Sequence, residues 1–413
     1  MPEILRYAGF AEEENFNPDT APSAKYHVDI ASAGLDAPTE SQMIYEGGLG
    51  RAARTHRPGF YAPTGNVVYA FDIYTIAFLL KWALGGYAFT GEHAKGAEIK
   101  ADNEQIAFSA SEPENKIMLA DGEWDIIPEE GTKIEVSGSI DNDGTYTVVS
   151  ANSTEIEVEE DLTDEDAGES VTIEQWLNLH EAWGNNDVIL PSFTTRLGKD
   201  VFEHVFKGCV INSLQIEVEG EYCMATADIV AAEDAKDTIK DPGDLILPKQ
   251  YPLAFHETTA KIKGSDKSCE VKSLTIEINN NANAENGRGL GQRHPCRIPV
   301  QERQLTVSKE LWFENTDALE RYWGNATGPA KLGSEEFDLE LEFDSGVHGK
   351  LTIKLPRFIY TEVPQQPSGR DEITQSTSGR ALIDTVEKED GSEVDTEVYA
   401  ALENVGGEIG NGD

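Results

Sequence analysis

The residues of this 413-residue chain best able to do chemistry mostly stand at spacings that lead to none. His180-Glu181 and His256-Glu257 each lack the second histidine, three residues past the glutamate, that a zinc protease helix requires. There is no Gly-x-Ser-x-Gly elbow and no Gly-x4-Gly-Lys-Ser/Thr phosphate loop. Gly287-Arg288-Gly289-Leu290-Gly291 looks like a nucleotide loop, but neither its spacing nor its place fits a strand–loop–helix unit. Asp141-Asn142-Asp143-Gly144 lacks the alternating carboxylates of a calcium loop and reads as a hairpin turn. Cys209, Cys223, Cys269 and Cys296 form no CxxC pair and read as buried small hydrophobes in a reduced compartment. No catalytic residue, metal ligand or cofactor site is expected, and the chain reads as a non-enzyme.

Arginine gives the stronger signal. Arg51, Arg54, His56 and Arg57 fall within seven residues, and Arg288, Arg293, His294 and Arg297 form a second cluster. Loops often carry charge that is merely solvated. The functional reading is that both loops meet an acidic partner surface, most economically another copy of this chain, since arginine's planar fork grips carboxylates in two places. The clusters share an ungapped frame 241 residues apart: Gly48-Leu49-Gly50-Arg51 in one, Gly289-Leu290-Gly291-Gln292 in the other. Each segment reaches a tryptophan, Trp82 or Trp323, after the same 31 residues, and Thr75/Thr316 and Ala77/Ala318 match in register. Loop, extended stretch and short helix recurring in order suggest an internal duplication. Two similar units in one chain are a natural way to build a pseudo-symmetric ring.

The elements that hold these loops follow from patterning. Asp72 and Asn315 are candidate helix caps, and Gly85-Gly86 and Gly324 stand where the helices should stop. Ile73, Ile76, Ala77, Leu80 and Ala83 recur at helical spacing, and the apolar stretch Ile73 to Phe89 reads as a core helix, too short and too charged to span a bilayer. Residues 96–173 carry no arginine and a large share of the negative charge, and have short alternating runs. They read as a small acidic β domain inserted into a first unit made of residues 1–95 and 174–245. A second unit would span 246–413. Leu214, Ile216 and Val218 share one strand face, as do Leu274, Ile276 and Ile278; Phe337–Phe343 and Leu351–Leu355 should close a hairpin with Glu340 and Glu342 facing Lys350 and Lys354. Residues 1–26 read as an arm without its own core, 241–250 as a linker, and the chain from Pro364 as a polar arm with a final strand near Val398–Leu402.

Composition sets bounds on the partners. With 39% hydrophobic residues the chain should fold, yet its formal net charge is −43. Such self-repulsion becomes tolerable when molar salt shrinks the Debye length to about 3 Å. Adaptation to very high salt is the first reading, a merely acidic surface or a nucleic-acid mimic the alternatives. Specific binding to DNA has the wrong sign of field. Met1-Pro2-Glu3-Ile4 begins no signal peptide, and neither export nor membrane insertion is expected.

The pattern resembles the tail tube proteins of long-tailed phages and their archaeal virus relatives. The resemblance rests on Ser192-Phe193-Thr194 through Gly208-Cys209-Val210 to Leu214, Ala225-Thr226-Ala227-Asp228-Ile229, Ser273–Ile278 leading to Gln304–Val307, and Gly349–Pro356. In the insert, Val136–Ser139 and Gly144–Val148 resemble small β modules that decorate virion proteins. The resemblance implies a mainly β fold: two tandem tube-type sandwich or barrel units, each with a flanking helix, plus the inserted domain. It further implies edge-to-edge joining into rings that stack as a tube, with tail tip and tail terminator proteins at its ends. Genome would pass through the lumen without specific binding, and the virion would assemble in the host cytoplasm. A trimer with pseudo-sixfold symmetry is expected, a hexamer being the alternative, with Arg51, Arg54, Arg57, Arg288, Arg293 and Arg297 at the stacking interface. The other reading of the whole chain is a structural or carbohydrate-binding β-sandwich of a cell surface layer, and a hydrolase on a β scaffold is a third.

Overall fold

Alternation of apolar and polar residues turns into strands along most of the chain. The computed structural model describes residues 6–38, 43–47, 53–111, 114–125, 127–128, 130–246, 252–331, 333–346, 349–364 and 374–405. In chain order the main elements begin with β1 (Tyr7–Glu12), β2 (Tyr26–Asp29), β3 (Thr64–Ala70) and helix α1 (Ile76–Leu84). Next come β4 (Gly85–Asn103), β5 (Val171–Gly184), β6 (Phe193–Gly198), β7 (Glu203–Val218) and β8 (Cys223–Val230). The later part adds β9 (Val271–Asn279), β10 (Gln304–Trp312), α2 (Asp317–Trp323), β11 (Phe337–Asp344), β12 (Lys350–Glu362), β13 (Thr374–Leu382) and β14 (Tyr399–Asn404). The chain is mainly β, with two α-helices among the described residues.

Strands β3, β8, β7, β9, β10 and β13 lie side by side, all antiparallel. The second half of β12 pairs with β13 and its first half with β14, which pairs with β5, which pairs with β4. On its other side β12 pairs with β11. The first part of β7 leaves this arrangement to pair with β6 and the strand Glu233–Asp237, and β6 carries β1 and β2. The two halves join at two ladders, β5–β14 and β7–β9; in the latter Leu214, Ile216 and Val218 face Ile278, Ile276 and Leu274. All six are buried, and a single hydrophobic core runs through both halves.

Connectivity repeats around the helices. Helix α1 ends on Gly85 (φ 84°) and leads into the antiparallel β4/β5 pair, a hairpin interrupted by residues 104–170; α2 ends on Gly324 (φ 68°) and precedes the β11/β12 hairpin. The strand before each helix, β3 or β10, pairs with one that follows the hairpin, β8 or β13. Left-handed backbone at both ends explains the two glycines, because a Cβ there is strained. Asp72 accepts hydrogen bonds from the backbone N–H groups of Tyr74 and Thr75, both at 2.8 Å, and Asn315 accepts from Asp317 N at 3.0 Å. The helix expected over Ile73–Phe89 is shorter than that, because residues 85–89 join β4.

The stretch between β4 and β5 packs its own core, with Ile99, Phe108, Ile117, Ile134, Val148 and Ile156 among its members, apart from the main one. The hairpin expected at Asp143-Gly144 forms between the strands Lys133–Ser137 and Gly144–Ala151, but Val136 pairs with Gly144, so its connection is the longer loop 138–143, in which Asp143 Oδ1 accepts from Ser139 N at 2.7 Å. Two further expectations fail at the ends. Of the expected arm 1–26, the described residues 6–26 are not coreless, since Tyr7, Ala8 and Phe10 of β1 are buried and β1 is paired on both sides. The chain beyond Pro364 contains β13, a strand internal to the sheet whose inward positions are Gln375, Thr377, Gly379 and Ala381. Gly379 is required there: a Cβ would stand 2.2 Å from the Phe358 ring.

Candidate assembly surfaces

The second arginine loop is built on a 3-10 turn, Ala284–Gly287, capped by the Asn283 side chain, which accepts from Glu285 N at 2.9 Å. Gly287 lets the chain cross itself, since a Cβ there would meet the Arg297 carbonyl oxygen at 1.7 Å. The loop then folds against residues 59–61, which directly follow the first arginine segment. The Arg288 guanidinium lies 4.2 Å from the Phe60 ring centre and donates to Glu285 Oε1 at 2.9 Å. Arg293 lies 4.8 Å over the Tyr61 ring and its Nε donates to the Gly59 carbonyl at 3.2 Å, while Tyr61 N donates to the Arg293 carbonyl at 3.0 Å. His294 meets Tyr61 edge-on at 5.4 Å. Tyr61 in turn donates its hydroxyl to Asp234, which also holds His204 Nε2 at 2.8 Å. The second loop and residues 59–61 therefore form one basic and aromatic patch, stabilised by cation–π contacts. Arg57 and Arg297 are exposed, and Leu290 at the loop tip is fully so. Arg51 lies outside the described residues, and so does the Arg54 side chain on the strand Ala53–Pro58.

A second surface is the outward side of the β8–β7–β9–β10–β13–β12 sheet. One cross-strand row reads Met224, Glu217, Thr275, Ser308, Ser378 and Glu362; the next reads Thr226, Gln215, Glu277, Thr306 and Arg380. These residues are half-buried or exposed. The face is hydroxyl, amide and carboxylate, and its Arg380 is matched by Glu302 at 2.7 Å.

The remaining chemistry-bearing residues are structural. His180 sits buried between the Tyr87 hydroxyl at 2.9 Å and Asn404 Oδ1 at 3.0 Å, and Glu181 accepts from the Tyr399 hydroxyl at 2.6 Å. Glu257 accepts from Ala254 N at 2.7 Å. Among the described residues no group of three His, Cys, Asp or Glu side chains could hold a metal ion. Cys209 and Cys223 are buried, the Cys223 thiol being pushed up to about 11 by burial. Cys269 and Cys296 are exposed, against expectation, because each lies in a surface turn and not on a core-facing strand position.

A family model described as phage tail tube protein matches residues 7–381. The chain belongs to the phage tail tube protein family. The match begins on β1 and ends in β13, so it takes in both arginine segments, the β7–β9 ladder and the inserted stretch. Tail tube proteins are structural, and the chain is a component of a virion tail. A search of curated proteins finds no match. Among the described residues no helix is long and apolar enough to cross a membrane.

Several residues that hold this tail tube protein together gave no sequence signal. Arg196 reaches the buried Glu203, Asp237 Oδ2 at 3.0 Å and the Pro22 carbonyl at 2.9 Å, while Glu203 also takes the Tyr7 hydroxyl at 2.8 Å. Arg303 pairs with Glu397 and donates to the carbonyls of Leu84 and Asn185, at 3.2 and 3.0 Å. It thereby ties the later half to the end of α1.

Proposed function

We propose that the chain is the repeating subunit of a tube of stacked rings that conducts a viral genome, in a long-tailed virus of an extreme halophile. The family match carries this reading, and the helix–hairpin order repeated around α1 and α2 supports two tube-type units per chain. In this reading the first unit comprises residues 1–95 and 174–245 and the second 246–413. Three chains close a pseudo-sixfold ring, and the 96–173 domain stands on the outside. The separate core of that stretch and its acidic surface support its placement away from the ring contacts. The patch formed around Phe60 and Tyr61 presents arginines to acidic faces of the next ring. The hydroxyl and carboxylate face of the sheet turns to the lumen, where it gives DNA phosphates nothing to grip. The net charge of −43 supports a high-salt setting.

Negative-stain imaging of the concentrated protein in molar salt tests the reading. Stacked rings with three chains per ring are expected in averaged end-on views. Six chains per ring would sink the trimer, and dispersed monomers at every salt concentration would sink the assembly itself.

A further inference from the structure

The connection between the two halves is fastened by a titratable group. After the strand Glu233–Asp237 the chain runs through residues 238–246, none of which is buried. It is anchored again at Leu253, which is buried and donates to the Phe71 carbonyl at 3.0 Å. The main hydrophobic core contains no residue of this strap, and Ile246 is itself 53% exposed. A segment with so little apolar burial opens easily unless hydrogen bonds hold it. What ties the strap to the strands beneath is Lys240 N, donating to the Tyr7 hydroxyl of β1 at 3.2 Å, and the backbone of Ile246. The Ile246 carbonyl accepts from His27 N of β2 at 2.8 Å, and the Ile246 N–H donates to His27 Nδ1 at 3.1 Å.

The second of these bonds fixes the state of the ring. Nδ1 accepts only when it carries no proton, so the imidazole is neutral and its hydrogen sits on Nε2. Nε2 is buried with no hydrogen-bond partner among the described residues, close against Gly9, where a Cβ would stand 3.3 Å away. A further proton has no place but Nδ1, where it would point at the Ile246 N–H. The charged groups facing the ring come from three elements: Glu203 of β7, Arg196 of β6 and Lys240 of the strap. Tyr7 of β1 meets it edge-on at 5.1 Å. Burial holds the ring's affinity for a proton down, and Lys240 and Arg196 act the same way. The Glu203 carboxylate and the Ile246 carbonyl, which His27 N already occupies, oppose this without overcoming it.

We propose that His27 is a proton-operated latch: neutral, it holds the strap 238–246 on β1 and β2, and on taking a proton at Nδ1 it releases the strap while the main core stays folded. The released ring binds a proton at the ordinary value of 6.5 and the latched ring more weakly. The latch is therefore at full strength above about pH 6.5 and fails as pH falls toward the lowered value. Within that window the opening equilibrium gains up to about tenfold for each pH unit.

Hydrogen exchange of the full chain tests this, with each rate divided by the intrinsic rate at the same pH. Protection of the Ile246 amide should fall by about tenfold or more between roughly pH 7.5 and 5, while the β7–β9 ladder keeps its own. His27→Asn sets an amide oxygen near the place of Nδ1 that accepts at any pH, so Ile246 protection in that variant should stay flat. Unchanged Ile246 protection in the wild type overturns the proposal, and so does an equal fall in His27→Asn. A fall shared equally by the β7–β9 ladder also overturns it, since the whole chain is then unfolding. Should His27→Asn fail to fold, the comparison of strap with ladder in the wild type decides alone. None of these outcomes depends on assembly into a tube.

Discussion

His27 shows what a single buried titratable group does here. It is 2% exposed, its Nδ1 accepts from Ile246 N at 3.1 Å, and its backbone N–H donates to the Ile246 carbonyl at 2.8 Å. Burial holds the imidazole below its ordinary value of 6.5, against the nearby Glu203 charge. The unfolded chain therefore binds a proton that the folded one refuses. This contribution is fully present above about pH 6.5 and is lost as pH falls toward the lowered folded value. His27→Gln should flatten the pH dependence of urea midpoints below pH 6.5 relative to wild type. Equal slopes in the two proteins would falsify the assignment. Arg196 tests the opposite kind of site. Glu203 is 0% exposed, and removing its cation leaves a buried carboxylate without its charge partner. Arg196→Ala should cost about 3–5 kcal/mol in denaturant unfolding. Arg357→Ala, which opens a surface pair with Glu336, should change little.

At the scale of elements, the β4/β5 ladder runs from the main core into the insert with several register shifts, and it places Ala97 opposite Gln175 and His93 opposite Leu177. The two strands are thus neighbours where residues 96–173 would be removed. Replacing that stretch by a short Gly/Ser turn should leave a folded chain that still assembles. A folded deletion variant that forms no rings would place the insert in the ring contacts instead. The arginine segments form the second element-level test. Changing Arg51, Arg54, Arg57, Arg288, Arg293 and Arg297 to serine should leave rings but abolish long tubes. Arg288 and Arg293 also hold Phe60 and Tyr61, so the exposed pair Arg57→Ser with Arg297→Ser serves as the gentler variant. Each bridge lost between rings is worth about 1 kcal/mol or less if exposed and several if buried. Tubes of wild-type length from both variants would show the loops to be merely solvated.

For the molecule as a whole, sign and placement of charge decide how it handles DNA. The outward rows through Thr275, Ser308 and Ser378 carry carboxylates and hydroxyls, and Ser308 and Ser378 lie across from each other, their hydroxyls 3.4 Å apart. Lysine at all three positions sets a cationic cluster in the face assigned to the lumen. Assembled tubes of that variant should retain labelled duplex DNA in low salt and release it steeply as salt rises, whereas unmodified tubes retain none. If neither retains DNA, that face lies elsewhere in the tube.

The sequence by itself determined the strands with large alternating side chains, because burial of one face fixes both period and register. Leu214, Ile216 and Val218 against Leu274, Ile276 and Ile278 are the clearest case, and Phe337–Phe343 with Leu351–Leu355 another. The stop glycines marked the C-terminal ends of both helices, since only glycine sits easily at the positive φ of residues 85 and 324, although the apolar run on to Phe89 read as helix and joins β4. Tertiary structure alone decided the rest. In β13 the inward positions are small or polar, so nothing in its alternation announces a strand that Phe358 and Tyr360 help to bury. The position of β1 depends on β6, almost two hundred residues later. The arginine patch needs Phe60 and Tyr61 to meet a loop more than two hundred residues away, and no local pattern carries a contact of that span.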